Sequence, residues 1–143
     1  MALLEKQLVI KRSTLPAAGK GLFTKKPIAK GTRVVEYKGK ITTWKEVDDD
    51  NGKNGYIYYI NRNHVIDAKP FSKTFGRYAN DANGLKKLRL VKNNARYVID
   101  NLRVYIEAVK DIPAGGEIFV RYGKEYWDII RHNIKLDKTK KVK

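Results

Sequence analysis

The sequence lacks cysteine altogether and has only two histidines among its 143 residues. The absence of cysteine excludes disulfides, zinc sites built on thiolates and a cysteine nucleophile. His64 and His132 are far apart in sequence and follow no metal-ligand spacing. We therefore predict that the chain holds no metal ion.

Long apolar runs are also missing. No stretch approaches the roughly 20 apolar residues that a bilayer-spanning helix needs. Met1-Ala2-Leu3-Leu4 is followed at once by Glu5 and Lys6, so the apolar core of a signal peptide does not form. These absences predict a soluble, intracellular protein with no membrane partner.

Acidic residues are scarce relative to basic ones: 15 Asp and Glu stand against 31 Lys and Arg, for a formal net charge of +16. Such an excess favours attraction to polyanions, above all nucleic acid. The alternative is a generally basic proteome or a solvated basic surface. Basic residues concentrate at 86–89 and 138–143, and we interpret residues 137–143 as a basic C-terminal tail outside the core.

Length and composition fit one folded domain, which we place at residues 1–136. A chain of this size can bury a single core without disulfides. Its 42% hydrophobic and 32% charged residues are typical of a globular protein rather than a disordered one. The oligomeric state is left open.

Short runs of β-branched and aromatic residues, separated by turns, predict a mainly β fold. The runs begin at Leu8 and continue, after a break at residues 16–21, with Leu22-Phe23, Thr32 to Tyr37, Tyr56 to Ile60, His64 to Asp67, Arg96 to Ile99, Leu102 to Val109 and Glu117 to Val120.

The connections between these strands have signatures of their own. Asp100-Asn101 is a plausible tight turn and predicts a hairpin. Thr43 and Glu46 stand at capping-box spacing and predict a short helix over residues 44–47. Residues 124–136 carry apolar side chains at helical spacing, which predicts a C-terminal amphipathic helix.

Four short motifs follow one another in a fixed order. They are Gly19-Lys20-Gly21-Leu22-Phe23, Tyr37-Lys38-Gly39, Arg77-Tyr78-Ala79-Asn80-Asp81, and Asp111-Ile112-Pro113-x-Gly115-x-Glu117 followed by Tyr122-Gly123 and Tyr126-Trp127. Each is weak alone, but in this order they resemble the SET-domain family of protein lysine methyltransferases. The resemblance implies a SET-domain fold of short strands in small sheets with few short helices. It also implies a knot-like threading of the C-terminal segment and a C-terminal helix.

The resemblance further implies S-adenosylmethionine as methyl donor, with S-adenosylhomocysteine as product. The residues that it assigns to cofactor binding are Lys20, Gly21, Leu22, Tyr56, Asn80, Asp81, Tyr122 and Trp127. Asp81 stands where the family has His, so that a backbone contact to adenine survives but a side-chain role of the His does not. The chain has no cysteine-rich zinc segment to close the site, and we hypothesise that the C-terminal helix, with Trp127 or Tyr126, covers the cofactor instead.

Three tyrosines carry the mechanism that the resemblance implies. The reference pKa of lysine is about 10.4, and its ammonium form cannot attack a methyl group. A narrow apolar channel favours the neutral amine because desolvation disfavours the charged form. Tyr122 matches the family's catalytic tyrosine, Tyr37 and Tyr97 match two further channel tyrosines, and Val120 stands where many members have Phe or Tyr. The alternative is that these tyrosines are core aromatics whose hydroxyls reach the surface.

Two glutamates near the motifs receive structural interpretations. We predict that Glu117 is a surface strand end and that Glu107 is a paired charge at the edge of the core.

The function that the resemblance implies is methyl transfer to a lysine of a protein substrate, such as a histone or a DNA-associated protein. The alternative is a catalytically weak or inactive SET-like basic module that binds chromatin or nucleic acid. Asp81 favours the alternative, whereas Tyr122, Asn80 and the glycine turn count against it. A structural nucleoid-type protein is a third interpretation. The location is expected to be nuclear or nucleoid-associated if the substrate is chromatin, and cytoplasmic otherwise.

Overall fold

The computed structural model describes residues 3–15, 18–47, 55–82 and 92–122. This part of the chain is mainly β, as the sequence predicts, with nine short strands and two 3₁₀ turns, Glu5–Gln7 and Gly76–Tyr78. The strands are β1 (Leu8–Arg12), β2 (Lys20–Thr24), β3 (Arg33–Glu36), β4 (Lys40–Thr42), β5 (Ile57–Asn61), β6 (His64–Asp67), β7 (Ala95–Asp100), β8 (Arg103–Ala108) and β9 (Glu117–Ile118). They form three three-stranded antiparallel sheets.

The first sheet has the order β1-β2-β9 and contains the first glycine motif. Gly19 has φ +70°, a conformation open to glycine at little cost, and forms the turn before β2. Lys20 to Leu22 lie in β2 itself, where Arg12 pairs with Lys20 and Leu22 pairs with Ile118. Of the motif's residues, only Gly19 is in the turn, and Lys20 to Phe23 all lie in the strand.

The second sheet, β3-β8-β7, contains the predicted hairpin, with its turn one residue later than expected. Asp100 pairs with Arg103, so that Asn101 and Leu102 form the two-residue loop with φ 51° and 66°. Positive φ at both central residues is typical of a type I′ turn, whose twist matches that of the strands. This register keeps the apolar alternation of β8 on the core side, which a slip of one residue would reverse.

The third sheet, β4-β6-β5, includes a strand that the sequence did not reveal, Lys40–Thr42. The helix predicted over residues 44–47 is wrong: the segment forms a single turn, although Thr43 Oγ1 does accept a 3.2 Å hydrogen bond from Glu46 N. Trp44 N donates to Arg62 O instead, and the Trp44 side chain is exposed. The Trp44 ring packs edge-on against that of Tyr59, and a segment of four residues is too short to sustain a helix alone.

The end of the described chain lies between two earlier segments. Asn80 forms a parallel bridge with Phe119, and Ala95 forms one with Val120. Residues 83–91 lie outside the described residues, so the knot-like threading stays a prediction. The helix predicted at 124–136 and the tail at 137–143 also lie outside them.

Two clusters of buried side chains join the sheets. The larger packs the first sheet on the second through residues such as Leu22, Ile118 and Ile106. The smaller packs the second sheet on the third. Tyr97 packs against both clusters, so it lies where the three sheets meet. In the described ranges, no helix is long and apolar enough to span a bilayer.

Candidate active site

Four tyrosines from four different segments meet where the sheets converge. Tyr97 of β7 lies at the centre. Its ring centroid is 5.8 Å from that of Tyr37, 5.1 Å from that of Tyr58 and 6.4 Å from that of Tyr122. The Tyr37 and Tyr58 rings are 6.1 Å apart. These separations are those of interacting aromatic pairs. The structure thus brings together the three tyrosines that the sequence assigns to catalysis and the channel, and adds Tyr58.

The four rings line a small pocket with a volume of about 60 Å³. The other lining residues are Gly55, Tyr56, Ile57 and Arg77. A cavity needs roughly 10–15 Å³ to hold one water, so this pocket has room for a few waters or for the end of an extended side chain. It is too small for a nucleoside. The pocket therefore suits a slender substrate group.

Tyr122 is held at both ends by one segment of the chain. Its hydroxyl donates a 2.5 Å hydrogen bond to Ala79 O, and its backbone N–H donates a 3.0 Å bond to Asp81 Oδ2. Ala79 and Asp81 are both buried. Because the hydroxyl proton is directed to a carbonyl, the phenol oxygen would meet a group in the pocket as a hydrogen-bond acceptor and not as a donor.

Tyr37 is fixed in the wall of the pocket. Its side chain is only 5% exposed, and its hydroxyl donates a 2.6 Å hydrogen bond to Tyr56 O. The Arg77 guanidinium lies 4.0 Å from the centroid of the Tyr56 ring and 5.1 Å from that of Tyr78. Arg77 also donates to the carbonyl oxygens of Ala68 and Lys69, which hold this cation in the pocket wall.

The pocket is an unfavourable place for a charge to form. Burial raises the pKa of Tyr58 above its usual value of 10.0, since the phenolate loses hydration there. The same loss of hydration acts on an amine in the opposite direction and lowers its pKa. The fixed charge of Arg77 adds repulsion against an ammonium. An amine that entered this pocket would lose hydration too, which favours its neutral form.

A second group of predicted residues gathers at the start of β2. Asn80 Nδ2 donates a 3.0 Å hydrogen bond to Lys20 O, and Asn80 O accepts a 2.8 Å bond from Val120 N. Asn80 thus ties β2 to the segment that leads into Tyr122. An amino-acid group carries a carboxylate and an ammonium. The exposed Lys20 ammonium is complementary to the carboxylate, and the Asn80 Oδ1 acceptor is complementary to the ammonium. These residues fit the amino-acid end of S-adenosylmethionine.

Glu117 has a structural role different from the predicted one. It is not a surface strand end, because it is only 6% exposed. Its carboxylate accepts hydrogen bonds from Ser13 Oγ at 2.6 Å, and from Thr14 N and Oγ1 at 2.9 and 2.7 Å. It therefore fixes the chain beyond β1 against β9. Glu107 pairs with Arg96 at 3.1 Å, as predicted.

The remaining predicted site residues are distributed as follows. Gly21 and Leu22 are buried in β2, with Leu22 in the core. Tyr56 lines the tyrosine pocket, and its assignment to cofactor binding stays a prediction. Val120 is fully buried in the core and is not among the pocket-lining residues described above. Trp127 lies outside the described residues.

Sequence reasoning missed Tyr58, the wall position of Arg77 and the Ala79 carbonyl. Tyr58 could have been found, because it is two residues from Tyr56 and extended residues at that spacing share a face. Arg77 was visible only as part of a motif. A backbone acceptor such as Ala79 O leaves no mark in a sequence.

Comparison with known proteins gives a consistent result. The SET domain family model matches residues 19–123. The chain is 31% identical over 136 residues to the histone-lysine N-methyltransferase EZH2 of Chaetomium thermophilum, and 30% identical over 132 residues to the histone-lysine N-methyltransferase EZ2 of Zea mays. These alignments cover 85% and 86% of this chain but only 8% and 14% of the relatives, so the chain spans a small part of their length.

A solved structure shows the same fold. The chain aligns with a humanized mutant of the Chaetomium thermophilum Polycomb Repressive Complex 2 bound to the inhibitor GSK126, with a TM-score of 0.68 and 27% identity. The alignment covers 91% of this chain and 16% of that one.

Proposed function

The chain belongs to the SET-domain family of protein lysine methyltransferases, and from this membership we propose that it transfers methyl groups from S-adenosylmethionine to the ε-amine of a lysine in a protein substrate. The observation that carries the proposal is the pocket lined by five tyrosines, in which Tyr122 is anchored at both ends. The catalytic role of Tyr122 and the channel roles of Tyr37, Tyr97 and Val120 are part of the proposal.

The pocket supports the proposal because it can prepare a lysine for attack. Its aromatic walls suit the methylene stem of a lysine, and they can hold the ammonium by cation–π contact before the proton leaves. Desolvation and the Arg77 cation then favour the neutral amine. The Tyr122 oxygen, whose own proton goes to Ala79 O, can accept a hydrogen bond from the amine and orient its lone pair.

The cofactor is proposed to lie at the Lys20 and Asn80 end of the site. S-adenosylmethionine supplies an electrophilic methyl carbon on a sulfonium centre. The Lys20 ammonium would pair with its carboxylate, and Asn80 Oδ1 would accept from its amino group. Because Asn80 is bonded to both Lys20 and Val120, the residues that would hold the cofactor are coupled to the backbone that carries Tyr122.

The experiment has two parts, both made with the whole chain. Calorimetric titration with S-adenosylmethionine measures binding, and incubation with labelled cofactor and a lysine-containing histone or a cell lysate measures transfer. We expect binding and transfer by the wild-type protein. Tyr122→Phe should lower the transfer rate by roughly a hundredfold or more, since it removes an oriented group at the reacting centre. Absence of cofactor binding would overturn the proposal.

Tyr105→Phe is the matched control for Tyr122→Phe. Tyr105 lies on β8 with its ring under Arg33, and it is not among the residues that line the tyrosine pocket. The control should transfer methyl groups at the wild-type rate. Equal losses in the two variants would show that any lost phenol hydroxyl harms the protein, and would contradict the role of Tyr122.

The net charge of +16 favours a nucleic-acid partner as well. A protein this basic repels a lysine-rich tail at long range, whereas docking on DNA would bring it to a DNA-associated substrate. Affinity for duplex DNA, followed by fluorescence anisotropy, should fall steeply as salt increases. A flat response would contradict this partner. DNA binding without cofactor binding would favour the inactive basic module over the enzyme, and a nuclear or nucleoid location holds only if the substrate is chromatin.

A further inference from the structure

Asp81 makes contacts that a surface carboxylate does not make. Asp81 is only 3% exposed. Asp81 Oδ2 accepts a 3.0 Å hydrogen bond from Tyr122 N, and Asp81 Oδ1 accepts a 2.9 Å bond from Asn93 Nδ2. Asn93 Oδ1 in turn accepts a 2.7 Å bond from Ala82 N. The three bonds link residues 81–82 with Asn93 and with the backbone of Tyr122.

We propose that Asp81 is a positioning residue for Tyr122: its carboxylate, oriented by Asn93, fixes the Tyr122 backbone so that the phenol reaches Ala79 O. This inference rests on the proposed function, in which Tyr122 acts on the substrate amine. Ala79 O accepts from the hydroxyl of Tyr122, and Asp81 accepts from its backbone N–H. Residues 79–81 therefore fix both the position and the orientation of the phenol.

An acidic residue at position 81 suits the two hydrogen-bond donors that surround it. A carboxylate can accept from Tyr122 N and Asn93 Nδ2 at the same time. A neutral imidazole has one acceptor nitrogen, so a His at position 81 could serve only one of them. Where the family has His, this chain has an acid that accepts from both Tyr122 N and Asn93 Nδ2. We therefore interpret Asp81 as another way of holding Tyr122, rather than as a sign of lost activity.

The polarity of this network can be reversed. In Asp81→Asn, the new amide can accept from Tyr122 N, but its Nδ2 then faces Asn93 Nδ2, and two donors meet. Rotating the Asn93 amide only moves the conflict to Ala82 N. In the double variant Asp81→Asn/Asn93→Asp, Asn at 81 accepts from Tyr122 N and donates to Asp at 93, whose other oxygen accepts from Ala82 N. All three bonds are restored.

The test compares wild type, Asp81→Asn, Asn93→Asp and the double variant. We expect Asp81→Asn to lower kcat by roughly tenfold to a hundredfold, because the two donors that face each other at positions 81 and 93 displace the residue-81 side chain and weaken its bond to Tyr122 N. KM for the cofactor should change little, since Lys20 and Asn80 are untouched and the adenine contact assigned to residue 81 is made by its backbone. The double variant should recover most of kcat. The Tyr122 amide proton, followed by NMR, should exchange faster with solvent in Asp81→Asn and slowly again in the double variant.

Asp111→Asn is the control for the change of carboxylate to amide. Asp111 Oδ1 accepts from Lys30 N at an exposed site outside the pocket, so this variant should keep wild-type kcat. Wild-type kcat in Asp81→Asn overturns the inference. So does a double variant that is folded and slows Tyr122 exchange without regaining kcat.

Failure of the proposed function gives a different result. Wild-type protein that neither binds nor uses the cofactor would refute the enzyme. The exchange of the Tyr122 amide would still report whether Asp81 positions that residue.

Discussion

Gly21 lies against the carboxylate of Glu117 with no room between them for a side chain. A Cβ atom at position 21 would overlap Glu117 Oε2, and it would lie 3.1 Å from both Glu117 Cδ and Ser13 Cβ. Glu117 cannot retreat easily, because Ser13 and Thr14 hold its carboxylate by hydrogen bonds. The glycine at this position therefore meets a packing requirement of the protein itself, apart from any approach of a cofactor.

Gly21→Ala should lower the free energy of unfolding by about 1–3 kcal/mol, as overpacking does. Chemical denaturation without cofactor measures this cost. Glu117→Ala removes the obstructing carboxylate, so Gly21→Ala should cost much less in that background. An equal cost in the two backgrounds would contradict the steric explanation.

Asn80→Ala should weaken the affinity for S-adenosylmethionine by roughly tenfold or more, because a hydrogen bond to a charged group contributes about 1.5–3 kcal/mol. Calorimetric titration measures the effect. The control is Asn61→Ala, which removes only an exposed turn bond from Asn63 N to Asn61 Oδ1. Unchanged affinity in Asn80→Ala would remove this residue from the cofactor site.

The raised pKa of Tyr58 predicts a loss of stability at alkaline pH. A phenol whose pKa is higher in the folded state than in the unfolded state stabilises the fold below the unfolded value of 10.0. That contribution is lost as the pH rises through the higher folded pKa. Tyr58→Phe has no proton to lose, so its denaturation midpoint should fall less than that of wild type between about pH 9 and pH 12. Parallel curves for the two proteins would contradict the prediction.

Leu102→Gly should stabilise the β7–β8 hairpin. Leu102 has φ 66° and its side chain is 46% exposed, so it bears the cost of a left-handed conformation with little burial in return. Glycine relieves that cost, which is roughly 1–2 kcal/mol, and the greater freedom of its unfolded chain offsets part of the gain. Urea denaturation should show a net gain of a few tenths of a kcal/mol to about 1 kcal/mol. Arg103→Gly, next along the chain but within β8, should destabilise instead.

The strands could be predicted where β-branched and aromatic residues run together over several positions, as in β5 to β8. β4 was missed because Lys40-Ile41-Thr42 is too short to show a period, and it exists only by pairing with β6. The hairpin turn was misplaced by one residue, because Asp100-Asn101 looks like a turn pair. In the fold, Asp100 instead pairs with Arg103 and binds Arg33 at 2.9 Å.

The residues of the site could be identified from the sequence, but their hydrogen-bond partners could not. Tyr37, Tyr97 and Tyr122 stand out through their motifs. That Asp81 reaches Tyr122, and that Glu117 is buried under the chain beyond β1, depends on contacts between segments 41 and 104 residues apart. Such contacts are set by the packing of sheets, which local patterns do not encode.

Tyr122 is close to the end of the described chain, yet it docks on residues 79–82 and stacks near Tyr97. During synthesis, the sheets that precede it can begin to form while the pocket still lacks one wall. A nascent chain therefore has no complete pocket until residue 122 has left the ribosomal tunnel. A polypeptide that stops before that point carries most of the strands but lacks the residue that completes the pocket.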